Sequence, residues 1–143
     1  MKLREIMTDC VVRIHPEESV AVAARTLARY NVGALPVCGG DGRLCGVVTD
    51  RDLVTRCIAS NRAPNATPVR EVMSANVIWA APDMDAAAAS QLMARRQIRR
   101  LPVLENGRLC GMVSLGDLAK REETATDAAG ALSEISSNVS VRK

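Results

Sequence analysis

The chain contains the stretch Gly42-Arg43-Leu44-Cys45-Gly46-Val47-Val48-Thr49-Asp50-Arg51-Asp52-Leu53 and repeats it as Gly107-Arg108-Leu109-Cys110-Gly111-Met112-Val113-Ser114-Leu115-Gly116-Asp117-Leu118. Other positions recur in the same order: Asn31–Val37 matches Gln97–Val103, Met7 matches Met73, and Pro16 matches Pro82. A repeat of this length predicts two copies of one supersecondary unit that bury a shared face. Any ligand site is therefore expected twice, in equivalent positions of the two copies.

Composition narrows the class of protein. Apolar residues make up 48% of the 143 residues, yet the chain has no Phe, one Tyr and one Trp. A platform for single-stranded nucleic acid needs aromatic rings on which bases stack. The formal net charge of +3 is mild and indicates no particular partner. We therefore expect no nucleic-acid partner.

The amino-terminal sequence and the cysteines bear on location. Met1–Glu5 leads into no apolar run that would resemble a signal peptide, and no stretch approaches the roughly 20 apolar residues of a membrane span. The five cysteines are odd in number, which fits reduced thiols. These features predict a cytoplasmic protein without a membrane partner.

Each repeat predicts the element order β-α-β-β-α. The first strands are expected at 11–14 and 77–80, and the helices that follow are expected to be capped by Ser19 and Asp85. In the tail, Ala131, Leu132 and Ile135 indicate one weak helical turn. The predicted organisation is repeat 1 at 1–59, a linker at 60–68, repeat 2 at 69–121, and a disordered or loosely docked tail at 122–143.

In both copies a strand ends in a hydroxyl residue and a helix begins, giving Thr49 with Asp52 and Ser114 with Asp117. One interpretation is a capping box, which satisfies the free amides at the start of a helix. A second interpretation is a nucleotide site, in which the helix start and hydroxyl receive a phosphate and the carboxylate accepts the hydrogen bonds of a ribose diol. The two interpretations are compatible if the aspartate faces a cleft.

The two copies resemble a tandem pair of CBS domains, the Bateman module, over roughly Leu3 to Lys120. The resemblance rests on features that recur in the same order in both copies, where h is a hydrophobic residue and x is any residue. They are the matched Met, the matched Pro, the h-P-V strand, the turn with glycine and the G-h-h-[ST]-x-x-D motif. It implies an α/β (α+β) fold of two β-α-β-β-α units related by a pseudo-twofold, with two clefts that bind adenosine-containing ligands. In such proteins the hydroxyl residue of the motif contacts phosphate and its Asp holds the ribose.

Carried onto this chain, the resemblance groups Asp117, Ser114, Arg99 and Arg100 with Thr8 and Gly33. It groups Asp52 and Thr49 with Ser74. Ala34 follows Gly33 directly, just before the h-P-V strand. Arg99 and Arg100 replace Gly33 and Ala34, and guanidinium groups favour a phosphate by charge and bidentate hydrogen bonding. The Asp117 cleft is therefore expected to suit a charged nucleotide better, although these arginines would equally fit a solvated basic face.

No other motif in the sequence indicates a metal-binding or catalytic site. Cys45 and Cys110 fit small buried residues of a core strand, and with His15 as the single histidine no metal site is expected. The chain has no P-loop, no strand followed by GxGxxG, and no plausible catalytic triad. The sequence therefore predicts no enzyme and no required cofactor.

The sequence hypothesis is a regulatory sensor that binds an adenosine-containing ligand of the AMP, ADP or ATP class, or S-adenosylmethionine, without catalysis. A homodimer and an unidentified regulated protein are the expected partners. The alternative is a ligand-free interaction or dimerisation module with vestigial clefts. A third hypothesis, nucleic-acid binding through Arg95–Arg100, predicts affinity that falls steeply with salt.

Overall fold

A computed structural model describes the backbone of residues 1–141 and the side chains of residues 1–137. The chain divides into two compact units. The Asp52 unit comprises Val12–Val77 and Gly107–Leu109, and the Asp117 unit comprises Met1–Val11, Ile78–Asn106 and the chain from Cys110 onward. The first eleven residues thus join the unit that holds most of the second repeat. The predicted boundaries at 1–59, 60–68 and 69–121 describe segments of the sequence, whereas these units are spatial. The boundaries therefore stay a prediction.

The Asp52 unit is built from two helices and one hairpin. Helix α1 spans Val20–Tyr30, strands β1 and β2 span Ala34–Cys38 and Leu44–Thr49, and α2 spans Asp50–Asp52. The helix continues with wider, i to i+5 hydrogen bonding over Leu53–Ile58, and a 3-10 turn follows at Val69–Glu71. β1 and β2 are antiparallel, with Leu35 opposite Val48. The core is aliphatic and includes Leu35, Val37, Val48, Val69 and Val72.

The Asp117 unit repeats this plan and adds a helix. After a 3-10 turn at Leu3–Glu5 come α3 (Ala86–Arg96), β3 (Arg100–Glu105), β4 (Arg108–Ser114), α4 (Leu115–Ala119) and α5 (Ala125–Val141). β3 and β4 pair as a second two-stranded sheet. The core includes Leu3, Met93, Leu101, Val113 and Leu118. The two small sheets with their helices confirm the predicted mixed class.

The predicted helix caps are confirmed. The Ser19 hydroxyl accepts a hydrogen bond from the Val22 amide at 3.2 Å, and the Asp85 carboxylate accepts one from the Ala87 amide at 3.2 Å. Both helices have 11 residues and end at a residue with left-handed backbone, Asn31 or Gln97. The two copies therefore begin and end their first helix by the same local chemistry.

The prediction of first strands at 11–14 and 77–80 is wrong. Each segment forms only a single β-bridge, from Ile14 to Val37 and from Ala80 to Val103. The Ile14 amide donates to the Pro36 carbonyl at 3.0 Å, and the Cys38 amide donates to the Ile14 carbonyl at 2.9 Å. The next hydrogen bond toward the amino terminus would need an N–H at Pro36, which proline lacks. Pro102 stops the second bridge in the same way, since its carbonyl accepts from the Ala80 amide.

The tail differs from its expected disorder or loose docking. Helix α5 has 17 residues, and its Ala128, Ala131 and Ile135 are buried in the core of the Asp117 unit against α3 and α4. Alanine has the highest helix propensity, and these three positions recur at helical spacing. Residues 142–143 of the predicted tail lie outside the described residues.

Candidate functional site

The two G-h-h-[ST]-x-x-D motifs form capping boxes. The Asp52 amide donates to the Thr49 hydroxyl and the Thr49 amide donates to the Asp52 carboxylate, both at 3.0 Å. The Asp117 amide donates to the Ser114 hydroxyl at 3.1 Å, and the Ser114 amide donates to the Asp117 carboxylate at 2.9 Å. The capping interpretation is confirmed in both copies. It leaves one oxygen of each carboxylate outside the box.

Each motif lies beside a segment that is remote in sequence. In the Asp117 unit, Thr8 and Met112 exchange backbone hydrogen bonds of 2.8 and 2.9 Å. In the Asp52 unit, Ser74 and Val47 exchange hydrogen bonds of 2.9 and 3.0 Å. The structure thus brings Thr8 to the unit of Ser114, and Ser74 to the unit of Thr49, whereas Gly33 lies in the unit of Thr49. That these groups bind a ligand stays a prediction.

This close approach explains the glycine of each motif. A Cβ atom on Gly46 would lie 2.5 Å from the Ser74 carbonyl oxygen, and one on Gly111 would lie 2.5 Å from the Met7 sulfur. Real Cβ atoms essentially never make contacts that short. Reasoning from the sequence used these glycines only as parts of a motif. Their role is to admit the Met-Thr and Met-Ser segments against the strand.

The residues before the two h-P-V strands meet the helix starts. The Gly33 carbonyl accepts from the Asp50 amide at 3.0 Å, and the Arg99 carbonyl accepts from the Leu115 amide at 2.9 Å. Gly33 and Ala34 are half-buried and belong to the Asp52 unit, whereas Arg99 and Arg100 are exposed in the Asp117 unit. Among the described residues, neither arginine forms an ion pair.

The two aspartates differ in their electrostatic environment. Asp52 is 8% exposed, and its carboxylate lies 3.8 Å from the Arg56 guanidinium, which also donates to the Val72 and Met73 carbonyls. Asp117 is half-exposed and, within the described part of the chain, has no cation at ion-pair distance. Arg121, at the position equivalent to Arg56, instead donates to the Glu5 carbonyl at 3.4 Å. The Asp117 carboxylate is therefore the more available acceptor.

A cavity of about 500 Å³ in the Asp117 unit collects three of the predicted site residues: Arg99, Arg100 and Ser114. The Asp117 carboxylate is bonded to Ser114 and follows Gly116, which lines the cavity. Two cations and a hydroxyl that line one cavity suit an anion such as a phosphate. Arg99, Arg100 and Ser114 thus meet at one cavity, and Asp117 is hydrogen-bonded to one of them.

The apolar residues that line this cavity were not predicted from the sequence. They are Leu115 and Ala119, and four residues of α5, namely Ala125, Ala128, Ala129 and Leu132. The spacing of these four α5 positions is that of one helix face. That periodicity is a signal for an apolar helix face in the tail. The overall composition of the tail, rich in Ala, Ser and Thr, does not reveal it.

The remaining candidate groups are structural in character. Burial raises the pKa of the Cys38 and Cys110 thiols above the ordinary value, and the Cys110 thiol donates to the Val103 carbonyl at 3.3 Å. In the part of the chain that the structure describes, no group of three or more His, Cys, Asp or Glu could hold a metal ion. None of the described helices is long and apolar enough to cross a membrane.

The repeated site geometry agrees with comparisons to known proteins. A family model described as CBS domain matches residues 3–58 and 69–134. The chain belongs to the CBS-domain family. The CBS domain-containing protein YhcV of Bacillus subtilis is 42% identical over 134 residues, which cover 94% of each chain. Hypoxic response protein 1 of Mycobacterium tuberculosis is 32% identical over 117 residues, 82% of each chain. The resemblance inferred from the sequence is confirmed.

Solved structures of CBS-domain proteins share the fold. The crystal structure of hypoxic response protein I with two coordinated zinc ions has a TM-score of 0.79 at 31% identity, covering 85% of this chain and 98% of that one. The CBS pair of protein MJ0100, in complex with 5′-methylthioadenosine and S-adenosyl-L-methionine, has a TM-score of 0.74 at 26% identity, covering 84% and 94%. This chain is thus a CBS-domain pair, a regulatory type of module.

Proposed function

We propose that this CBS-domain pair is a sensor that binds an adenosine-containing ligand of the AMP, ADP or ATP class and leaves it chemically unchanged. The proposal includes a cytoplasmic location, and S-adenosylmethionine remains a candidate ligand. Binding would bias the conformation or association of the protein, and so the activity of a regulated partner.

The convergence of Arg99, Arg100 and Ser114 on one cavity is the observation that carries the proposal. The two guanidinium groups and the hydroxyl would receive the phosphates. The free oxygen of Asp117, with its bonded oxygen, would accept the hydrogen bonds of the ribose hydroxyls. A cavity of about 500 Å³ lies within the size range of small-molecule sites.

The ligands of MJ0100, 5′-methylthioadenosine and S-adenosyl-L-methionine, support the choice of ligand class. Both contain adenosine, and both belong to a protein 26% identical to this one. The Asp117 group would be the principal site, because its carboxylate has no neighbouring cation among the described residues. The group of Thr49, Asp52 and Ser74 would bind more weakly, since the Arg56 guanidinium already lies beside Asp52.

A thermal-shift experiment with AMP, ADP, ATP and S-adenosylmethionine tests the proposal. A ligand at 100 times its Kd adds about 2.7 kcal/mol of stability, which for a chain of this size raises the Tm by roughly 6–10 °C. The test variant is Asp117→Asn, which keeps an oxygen for the Ser114 amide but loses the charge and one acceptor. Asp52→Asn is the matched control.

We expect one ligand to raise the Tm of the wild type and of Asp52→Asn, and to lose most of that effect in Asp117→Asn. If no ligand moves the wild-type Tm, the sensor proposal fails. If Asp117→Asn responds as the wild type does, the principal site has been misplaced.

The alternative, a ligand-free interaction or dimerisation module, is favoured by two exposed apolar side chains. Val54 and Ile58 lie one turn apart after α2 and are 58% and 55% exposed. We propose a homodimer that covers them. The competing outcome is a larger assembly, such as the hexamer of a cyanobacterial CBS-CP12 protein. Sedimentation of Val54→Glu against wild type, with and without ATP, separates association from ligand binding.

A further inference from the structure

We propose that α5 forms the wall of the ligand cavity that holds the base of the nucleotide, with Leu132 as the contacting residue. This inference rests on the proposed function, because it concerns the same cavity. It adds a specificity-determining residue from a part of the chain outside the repeated motifs.

The residues that line the cavity fall into two chemical groups on different elements. Arg99, Arg100 and Ser114 are polar, whereas the residues contributed by α5 are all alanine or leucine. The polar group by itself would accept any phosphate of suitable size. A nucleotide also carries a flat base, whose removal from water an apolar wall would favour. The polarity of the cavity therefore matches a ligand that is anionic at one end and apolar at the other.

Leu132 is set apart from the residues that anchor α5. Ala128, Ala131 and Ile135 are 1%, 5% and 5% exposed, so they hold the helix to its unit. Leu132 is 42% exposed and is the largest side chain that α5 contributes to the cavity. Its apolar surface remains for a ligand to cover. Truncating Leu132 therefore removes ligand contact and leaves the helix anchors in place.

A wall built by α5 couples binding to the docking of this helix. Because a ligand that contacts α5 binds only the docked state, it shifts the population toward that state. Thr124 fixes the start of α5, since its hydroxyl donates to the Leu118 carbonyl of α4. Binding would thus be reported by reduced opening of α5.

The test compares Leu132→Ala with Ser133→Ala in the full chain. Ser133 is the next residue of α5, is exposed and does not line the cavity. ATP affinity is measured by isothermal titration calorimetry, and hydrogen exchange of the α5 amides is measured with and without saturating ATP. Thermal denaturation without ATP confirms that both variants remain folded.

We expect Leu132→Ala to weaken ATP binding about fivefold to tenfold, as the loss of a partly buried leucine side chain implies. Ser133→Ala should bind within twofold of the wild type, and ATP should slow exchange of the α5 amides. The wall is refuted if wild type binds ATP but Leu132→Ala binds equally well, or if exchange in α5 does not change. If the wild type binds AMP, ADP or S-adenosylmethionine in place of ATP, the same comparison is made with that ligand and decides the wall by the same criteria. If it binds none of the four, the proposed function is overturned together with this inference.

Discussion

Replacing Gly46 with alanine should destabilise the Asp52 unit more than any other glycine-to-alanine change in the repeated motif. The new Cβ would lie 2.5 Å from the Ser74 carbonyl oxygen and 3.0 Å from the Met73 sulfur. A carbonyl oxygen is part of the backbone and cannot rotate away. Relief requires separating Ser74 from Val47, which weakens the hydrogen bonds of 2.9 and 3.0 Å between them.

The magnitude follows from these two effects. Overpacking costs about 1–3 kcal/mol, and each weakened hydrogen bond costs on the order of 1 kcal/mol. We expect a loss of about 2–4 kcal/mol, which is a large part of the roughly 5–15 kcal/mol that stabilises a typical protein. At Gly111 the two closest atoms, the Met7 sulfur at 2.5 Å and Cγ at 2.9 Å, belong to a flexible side chain, and the backbone oxygen of Thr8 is farther away at 3.0 Å. The loss there should be smaller.

Urea denaturation followed by circular dichroism measures both changes, with Gly40→Ala as the control. Gly40 has no atom within 4 Å of an added Cβ, so its substitution should change the free energy of unfolding by less than about 0.5 kcal/mol. The reasoning is refuted if Gly46→Ala costs less than about 1 kcal/mol, or if Gly111→Ala costs more than Gly46→Ala does.

Four further predictions concern other elements. Gly130 lies within α5 with open space around an added Cβ, so Gly130→Ala should stabilise the protein by about 0.5–1 kcal/mol, measured by urea denaturation. Ser114→Ala removes the acceptor for the Asp117 amide and should cost about 1 kcal/mol in the same assay, whereas an unchanged midpoint would contradict the capping box. Because burial raises the pKa of Cys38, the folded state holds this proton more tightly than the unfolded state. Stability should therefore fall as the pH rises past the ordinary thiol value, and Cys38→Ser should lessen that fall. At pH 8, iodoacetamide should label the exposed Cys10 before Cys38, as mass spectrometry would show.

Local signals in the sequence predicted the parts of the fold that depend on neighbouring residues. The caps at Ser19 and Asp85, the two hairpins and the capping boxes each depend on residues within a few positions of one another. The repeat added the family and its two-copy architecture. These features need no knowledge of tertiary contacts, and all of them are present in the structure.

Features that depend on distant residues were beyond local patterns. The apolar stretch at 11–14 has the composition of a strand, but Pro36 on the neighbouring strand limits its pairing to Ile14. Likewise, the tail is weakly apolar by itself, and its docking depends on the faces that α3 and α4 present. The ion pair of Arg56 with Asp52 was not foreseen, although the spacing of four residues on a helix would have allowed it.

The placement of Thr8 against Met112 has a consequence for synthesis on the ribosome. Residues 1–11 are made about a hundred residues before their partner strand, a delay of roughly 5–20 s at ordinary elongation rates. During this interval the apolar side chains of Leu3, Ile6 and Met7 have no permanent place to pack. This segment therefore acquires its native contacts only after the strand that contains Met112 has been synthesised.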